Sequence, residues 1–277
     1  MARRFRLYFE HMREKYLFYR QMRRFPDLKI VKPNPGPVQS RELAMATSAM
    51  SAKDLDRMTD PDIYFRSAYH WMRFSMEALE KVQFDFRTVD TILEFGCGSA
   101  RLLRLLRCIP DVNLIGTDMN SVCIDWCRKH IAGAKFYQNE KQPPLAFAQE
   151  STIDLIFACS VFTHIALDLQ KLWLEELYRI LRPGGIFLCT VLGERYIESM
   201  LSRQDQEILA RDGSFELGPD HERISLSSKK TGQDDVFQTR EQVLASFGSV
   251  FEIIDYLERG AKLQNLLVLQ RPKKSRP

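Results

Sequence analysis

Residues able to do chemistry gather first in the stretch Thr91-Ile-Leu-Glu94-Phe95-Gly96-Cys97-Gly98-Ser-Ala-Arg101. An apolar run ends in an acid and turns through two glycines into an amphipathic segment. Glycine permits a tight turn and a close backbone approach to a ligand. A helix starting behind it offers free amides and a partial positive charge. Dinucleotide-binding turns share this logic, but Arg101 stands where they favour Gly or Ala. Glu94 would repel a pyrophosphate and suits a cationic amino group. Gly116-Thr117-Asp118-Met119 closes the next apolar run, and an acid at that tip can accept both ribose hydroxyl hydrogens. Ser160-Val161-Phe-Thr163-His164 follows a later run. His164 is the foremost candidate base because histidine titrates near neutrality, and a helix cap or loop strut is the other reading of the same residue. His221, with Asp220 or Glu222, is the second candidate base.

These residues need a scaffold that brings strand tips together. The apolar runs predict strands at 91–95, 113–117, 134–138, 154–158, 185–192, 250–256 and 262–270. Amphipathic runs between them predict helices at 100–107, 121–131 and 167–181. Alternation of this kind builds a mainly parallel sheet covered on both faces. Arg182-Pro183-Gly184-Gly185 joins the third of those helices to the next strand. Upstream, 41–82 reads as helical, with Asp60-Pro61-Asp62 as a helix start. The segment 193–238 is longer than the usual connection and carries one helix-like run, 194–211; loops of that size usually have a task, here covering a substrate. Three parts follow: 1–37, a basic amphipathic helix with a Pro-rich linker (Pro26, Pro33, Pro35, Pro37); 38–90, a helical lead-in; and 91–277, the α/β domain with its insertion.

Taken in order and spacing, Glu94-Phe-Gly-Cys-Gly98, Gly116-Thr-Asp118, Asp154-Leu-Ile-Phe and Leu181-Arg-Pro-Gly-Gly185 resemble the motifs of class I S-adenosylmethionine-dependent methyltransferases. The resemblance covers 91–192 well, and the tail from Lys262 looks like the family's closing antiparallel hairpin. It implies a Rossmann-like, seven-stranded, mostly parallel sheet with helices on both faces, here with an N-terminal helical extension. It also implies S-adenosyl-L-methionine as cofactor, lying across the carboxyl ends of the first strands. Position by position, Glu94 would face the methionine end, with Phe95, Gly96, Cys97 and Gly98 forming the turn around the cofactor. Asp118 would bind the ribose and Met119 pack on the adenine. Asn139 falls where the family usually has an acid on the adenine amino group, and its amide oxygen can accept the same hydrogen bond. Ser160 and Val161 would line the methyl end, and Tyr64 falls where relatives often place an aromatic residue over the cofactor. Methyl transfer is an in-line displacement, so the protein supplies alignment and, for a hydroxyl acceptor, a base.

The loop Cys159-Ser-Val-Phe-Thr-His lacks the Asn/Asp-Pro-Pro-aromatic pattern of nucleic-acid amino methyltransferases. The expected acceptor is therefore a small molecule, a glycan or a lipid-linked group methylated on oxygen, and not nucleic acid. A cofactor-binding but non-catalytic partner protein is the alternative. A formal net charge of +4 is too mild to argue for nucleic acid as the main partner. Basic residues nevertheless dominate the stretch before Pro33, where Phe5, Tyr8, Met12, Tyr16, Tyr19 and Met22 recur at helical spacing. That helix could lie on an anionic membrane or pack on the protein or a partner. The six cysteines sit in apolar runs without metal-ligand spacing, so no metal is expected. Reduced core thiols, no apolar run long enough to span a bilayer and no secretory signal pattern point to the cytoplasm.

Overall fold

The computed structural model describes residues 2–25, 28, 31, 37–38, 59–193, 197, 201–218, 220, 234–258 and 264–273. His221, Glu222, Pro26, Pro33, Pro35 and Lys262 lie outside them, as do 41–58 of the lead-in. Within the described residues nine strands run as β1 (Thr91–Phe95), β2 (Asn113–Asp118), β3 (Lys135–Gln138), β4 (Ile153–Ala158), β5 (Leu181–Val191), β6 (Ser214–Leu217), β7 (Asp235–Gln238), β8 (Glu252–Leu257) and β9 (Asn265–Gln270). Among the described residues six α-helices accompany them: α1 (Ala2–Met22), α2 (Pro61–Lys81), α3 (Ser121–His130), α4 (Leu167–Ile180), α5 (Arg203–Asp212) and α6 (Arg240–Gly248). Seven strands form one sheet in the order β3-β2-β1-β4-β5-β9-β8, and β6 and β7 form a separate pair. The seven expected strands are all present, within a few residues of their expected ends.

The chain divides into two compact units, Met1–Gln138 and Asn139–Pro277. In the first, β1, β2 and β3 pair in parallel, with Glu94 opposite Gly116 and Asp118 opposite Gln138. Gly116 leaves space that Phe136 fills, since a Cβ there would come within 2.8 Å of that ring. α2 begins as its sequence dictates: Asp60 Oδ1 accepts from the Asp62 and Ile63 amides at 2.8 and 3.3 Å, and Pro61 needs no partner.

One expectation for this unit is corrected. No α-helix spans 100–107. Ala100 has φ +52, a left-handed conformation that a helix cannot incorporate, and Pro110 closes the run after Ile109. Between them only a 3-10 segment, Leu103–Cys108, fits. α1 buries Phe18 and Met22, whereas Tyr8, Met12 and Tyr16 of the helically spaced series are exposed, and Glu10, Glu14 and Gln21 contact α2.

In the second unit β4 is buried along its whole length, as expected of a strand covered on both faces. It pairs in parallel with β5, while β5–β9 and β8–β9 are antiparallel. The closing hairpin is thus present. The expected single helix over 194–211 is interrupted: Leu201 and Ser202 are not helical, and Ser202 Oγ accepts from the Asp205 amide to start α5 afresh. α5 stops at Gly213 with φ +75, after which β6 pairs with β7. Ile197, Leu201, Leu209, Leu217 and Phe237 form a small core of this insertion's own.

Candidate active site

In the first unit the glycine turn between β1 and the 3-10 segment has nearly every polar group assigned. The Gly96 and Cys97 amides share the Thr117 carbonyl at 2.8 and 2.9 Å. The Gly98 amide donates to Asp118 Oδ2 at 2.7 Å, and the Asn120 amide to Asp118 Oδ1 at 2.8 Å. Glu94 is buried, and its Oε2 accepts from the Leu103 amide at 2.8 Å. It therefore replaces the missing α-helix start as the cap of the 3-10 segment. Gly98 has φ +51, and a Cβ added there would meet nothing within 4 Å. Open space thus lies beside a turn flanked by two carboxylates.

Burial pushes the Glu94 carboxyl up to about 8, against the pull of the Leu103 amide and of Arg101 and Arg104. Burial also raises Asp118, opposed by the Asn120 and Gly98 amides. Two desolvated acids with raised proton affinity are suited to a ligand that brings positive charge and hydroxyl donors. Phe95 and Cys97 are buried in the turn, and Met119 is half-exposed beyond the β2 tip.

Tyr64 is fully buried, with its hydroxyl 2.7 Å from Ser99 Oγ. It therefore reaches the turn through Ser99. Arg104, also fully buried, binds the Ala100 carbonyl (3.0 Å), the Pro37 carbonyl (2.6 Å) and the Ser99 carbonyl. Its guanidinium lies over the rings of Tyr64, Phe65 and Trp126 at 5.4–5.6 Å. Sequence reading passed over Arg104. Its signal is a lone cation inside the run Leu102–Leu106, where a surface helix would have turned it to water.

In the second unit, Ser160 follows β4 with φ +58, a strained backbone of the kind that collects at functional sites. Its amide donates to Thr190 Oγ1 at 2.8 Å and its hydroxyl to Gln264 Oε1 at 2.9 Å. The Val161 carbonyl accepts from the His164 amide. His164 Nδ1 lies 3.0 Å from the Asp234 carbonyl and 3.4 Å from Asp235 Oδ1, and the Asp235 side chain is buried. The Val236 amide bonds the Thr163 carbonyl, and the Leu167 amide donates to Glu216 Oε2. The insertion's β-pair thus holds the loop that carries His164. Asp234 and Asp235 were missed, although two acids ahead of Val236-Phe237 are a legible strand start. Asn139 Nδ2 donates to the Glu140 carbonyl. Among the described residues, no three His, Cys, Asp or Glu side chains cluster closely enough to hold a metal ion.

Residues 93–189 match the profile of the methyltransferase domain family. Over that stretch the chain is similar to S-adenosylmethionine-dependent methyltransferases. The matching domain and its fold imply S-adenosylmethionine as cofactor, and the residues fit such a cation: buried Glu94 and half-buried Asp118, both with raised proton affinity, and room at Gly98.

A demethylmenaquinone methyltransferase of Symbiobacterium thermophilum is 24% identical over 168 residues, 56% of this chain and 61% of that protein. A fatty-acid O-methyltransferase of Mycolicibacterium smegmatis is 34% identical over 108 residues, 38% of either chain. The chain thus spans less than two thirds of these relatives' own length. The crystal structure of an S-adenosylmethionine-dependent methyltransferase from Mesorhizobium loti aligns with a TM-score of 0.52 at 13% identity, covering 71% of this chain and 97% of that one. That likeness is one of fold.

Proposed function

We propose that this protein transfers a methyl group from S-adenosylmethionine to an oxygen of a small-molecule, glycan or lipid-linked acceptor. The observation that carries the reading is the pair of carboxylates, buried Glu94 and half-buried Asp118, both tied to amides in or next to the glycine turn. In this assignment Glu94 pairs with the methionine ammonium and Asp118 accepts the ribose hydroxyls. Phe95, Gly96, Cys97 and Gly98 shape the turn, and Tyr64 holds it through Ser99. Met119 and Asn139 attend the adenine, and Ser160 and Val161 the methyl end. The cofactor supplies a sulfonium-bound methyl group, open to in-line displacement. His164 takes the proton from the acceptor hydroxyl, with Nδ1 engaged by Asp234 and Asp235 so that the imidazole works through Nε2. The insertion 193–238 covers the acceptor and sets its identity. Lipidic acceptors are favoured because two similar proteins are named for demethylmenaquinone and for fatty acids.

Calorimetric titration with S-adenosylhomocysteine tests the cofactor assignment. Binding should be saturable, and Asp118→Ala should weaken it by about 1–3 kcal/mol through lost charge-assisted hydrogen bonds. A wild-type protein that binds nothing, or a variant that binds equally well, refutes it. Radiolabelled methyl transfer to lipid and small-molecule extracts tests the reaction. His164→Ala should then keep its affinity and lose turnover. Transfer to tRNA instead would overturn the acceptor class, and binding without transfer to any pool would favour the non-catalytic partner.

A further inference from the structure

The charges and apolar groups of α1 are sorted between its two faces. Its acids point inward, where Glu10 pairs with Arg66 and Glu14 approaches His70 and Arg73 of α2 at 3.4 and 3.5 Å. Phe18, Gln21 and Met22 are buried on the same side, and Gln21 bonds Glu80. The outward face carries Tyr8, Phe9, Met12 and Tyr16, exposed by 49, 66, 41 and 63%. Arg6, Arg13 and Arg20, all exposed, run along one edge of that stripe. Their spacing of two helical turns aligns them in a row. Arg6 also pairs with Glu10 at 3.0 Å while its side chain remains 82% exposed.

A contiguous stripe of four large apolar side chains is more than a merely solvated helix requires. With its acids neutralised against α2, the outer surface of this helix offers aromatic rings and cations together. We propose that this face of α1 docks on an anionic phospholipid bilayer. The rings would enter the headgroup boundary while the arginine row meets lipid phosphates, as interfacial helices do. Complementary charge selects the occupant: a zwitterionic surface offers the rings a site but the arginines little. The inference goes beyond the catalytic reading and does not depend on it. If both hold, the protein reaches acceptors dissolved in the membrane from its surface.

Co-sedimentation of the full chain with vesicles tests this directly. Vesicles of phosphatidylglycerol and phosphatidylcholine in equal parts should bind it, phosphatidylcholine alone should bind little, and added salt should weaken the attraction. A surface arginine contributes roughly a fivefold factor on an anionic bilayer. The combined Arg6→Gln, Arg13→Gln and Arg20→Gln variant should therefore lose at least about tenfold in affinity. Phe9→Ser with Tyr16→Ser should lose a comparable amount, with helical content unchanged by circular dichroism. No binding to anionic vesicles at low salt, or binding indifferent to both variants, overturns the proposal. So does a concentration-dependent dimer that disappears in Phe9→Ser with Tyr16→Ser while vesicles are ignored, since the face would then belong to a second copy. S-adenosylhomocysteine titration of the same proteins reports separately on the catalytic reading.

Discussion

Glu94 is the residue whose environment says most about its ligand. A carboxyl buried at the end of β1, with its proton affinity pushed up to about 8, is held neutral near pH 7 until a cation arrives. Pairing with an ammonium requires the ionised form, so binding should expel a proton. S-adenosylhomocysteine affinity should thus rise with pH up to about 8 and level off above. Glu94→Gln should flatten that dependence, which calorimetry in buffers of different ionisation enthalpy would check. The sign for folding is opposite. The folded carboxyl lies above its ordinary value, so its contribution is complete below the usual carboxylate range. That contribution is lost as pH rises through about 8. The ligand-free protein should therefore melt at progressively lower temperature across that window, and Glu94→Gln should remove this component.

At the scale of elements, one buried cation joins pieces distant in sequence. Arg104 links the Pro37 carbonyl, the Tyr64 hydroxyl and the Ser99 and Ala100 carbonyls. It thereby secures the glycine turn to the N-terminal lead-in. Arg104→Met keeps most of the volume but takes the guanidinium donors from the Pro37 and Ser99 carbonyls, at about 1 kcal/mol or more each, while the Ala100 carbonyl keeps the residue-104 amide. A loss of roughly 2 kcal/mol in denaturant unfolding is expected, with weakened cofactor binding because the turn loses its support. Tyr64→Phe removes the bond to Ser99 and the longer one from Arg104 but leaves every carbonyl its donor, and should cost about 1 kcal/mol. Equal effects of the two substitutions would mean that the guanidinium is not the organising group. The strands β1 to β5, by contrast, were readable from apolar runs bounded by Gly, Pro and Asp, because a strand buried on both faces announces itself locally. The 3-10 segment was not. Its form depends on Ala100 at positive φ and on a carboxylate nine residues upstream.

For the molecule as a whole, the thiols follow the core. Cys97, Cys108, Cys123, Cys127 and Cys189 are buried, while Cys159 beyond β4 is partly exposed. Burial raises all five buried thiols, Cys108 and Cys123 to about 12, and the thiolate is the reactive form. A chromogenic disulfide reagent should modify one thiol quickly in the native protein, identified as Cys159 by peptide mapping, and all six after denaturation. Rapid labelling of Cys97 or Cys127 would show that the floor of the glycine turn opens in solution. Among the described residues no helix is long and apolar enough to cross a membrane.

Sequence alone determined what depends on near neighbours: the strand series, the glycine turn, the acids at the tips of β1 and β2, and the Asp60 cap. These follow from period, turn chemistry and local capping, which act over a few residues. Tertiary structure decided what depends on distance. His164 meets Asp234 across 70 positions, and no periodicity encodes that meeting. Arg104 is a core residue only because Pro37 and Tyr64 reach it. The helical spacing of Tyr8, Met12 and Tyr16 was visible from the start, but which face α1 turns outward was settled by Glu10 and Glu14 finding cations on α2. A helix carries its pattern within itself, whereas the direction in which it faces belongs to its neighbours.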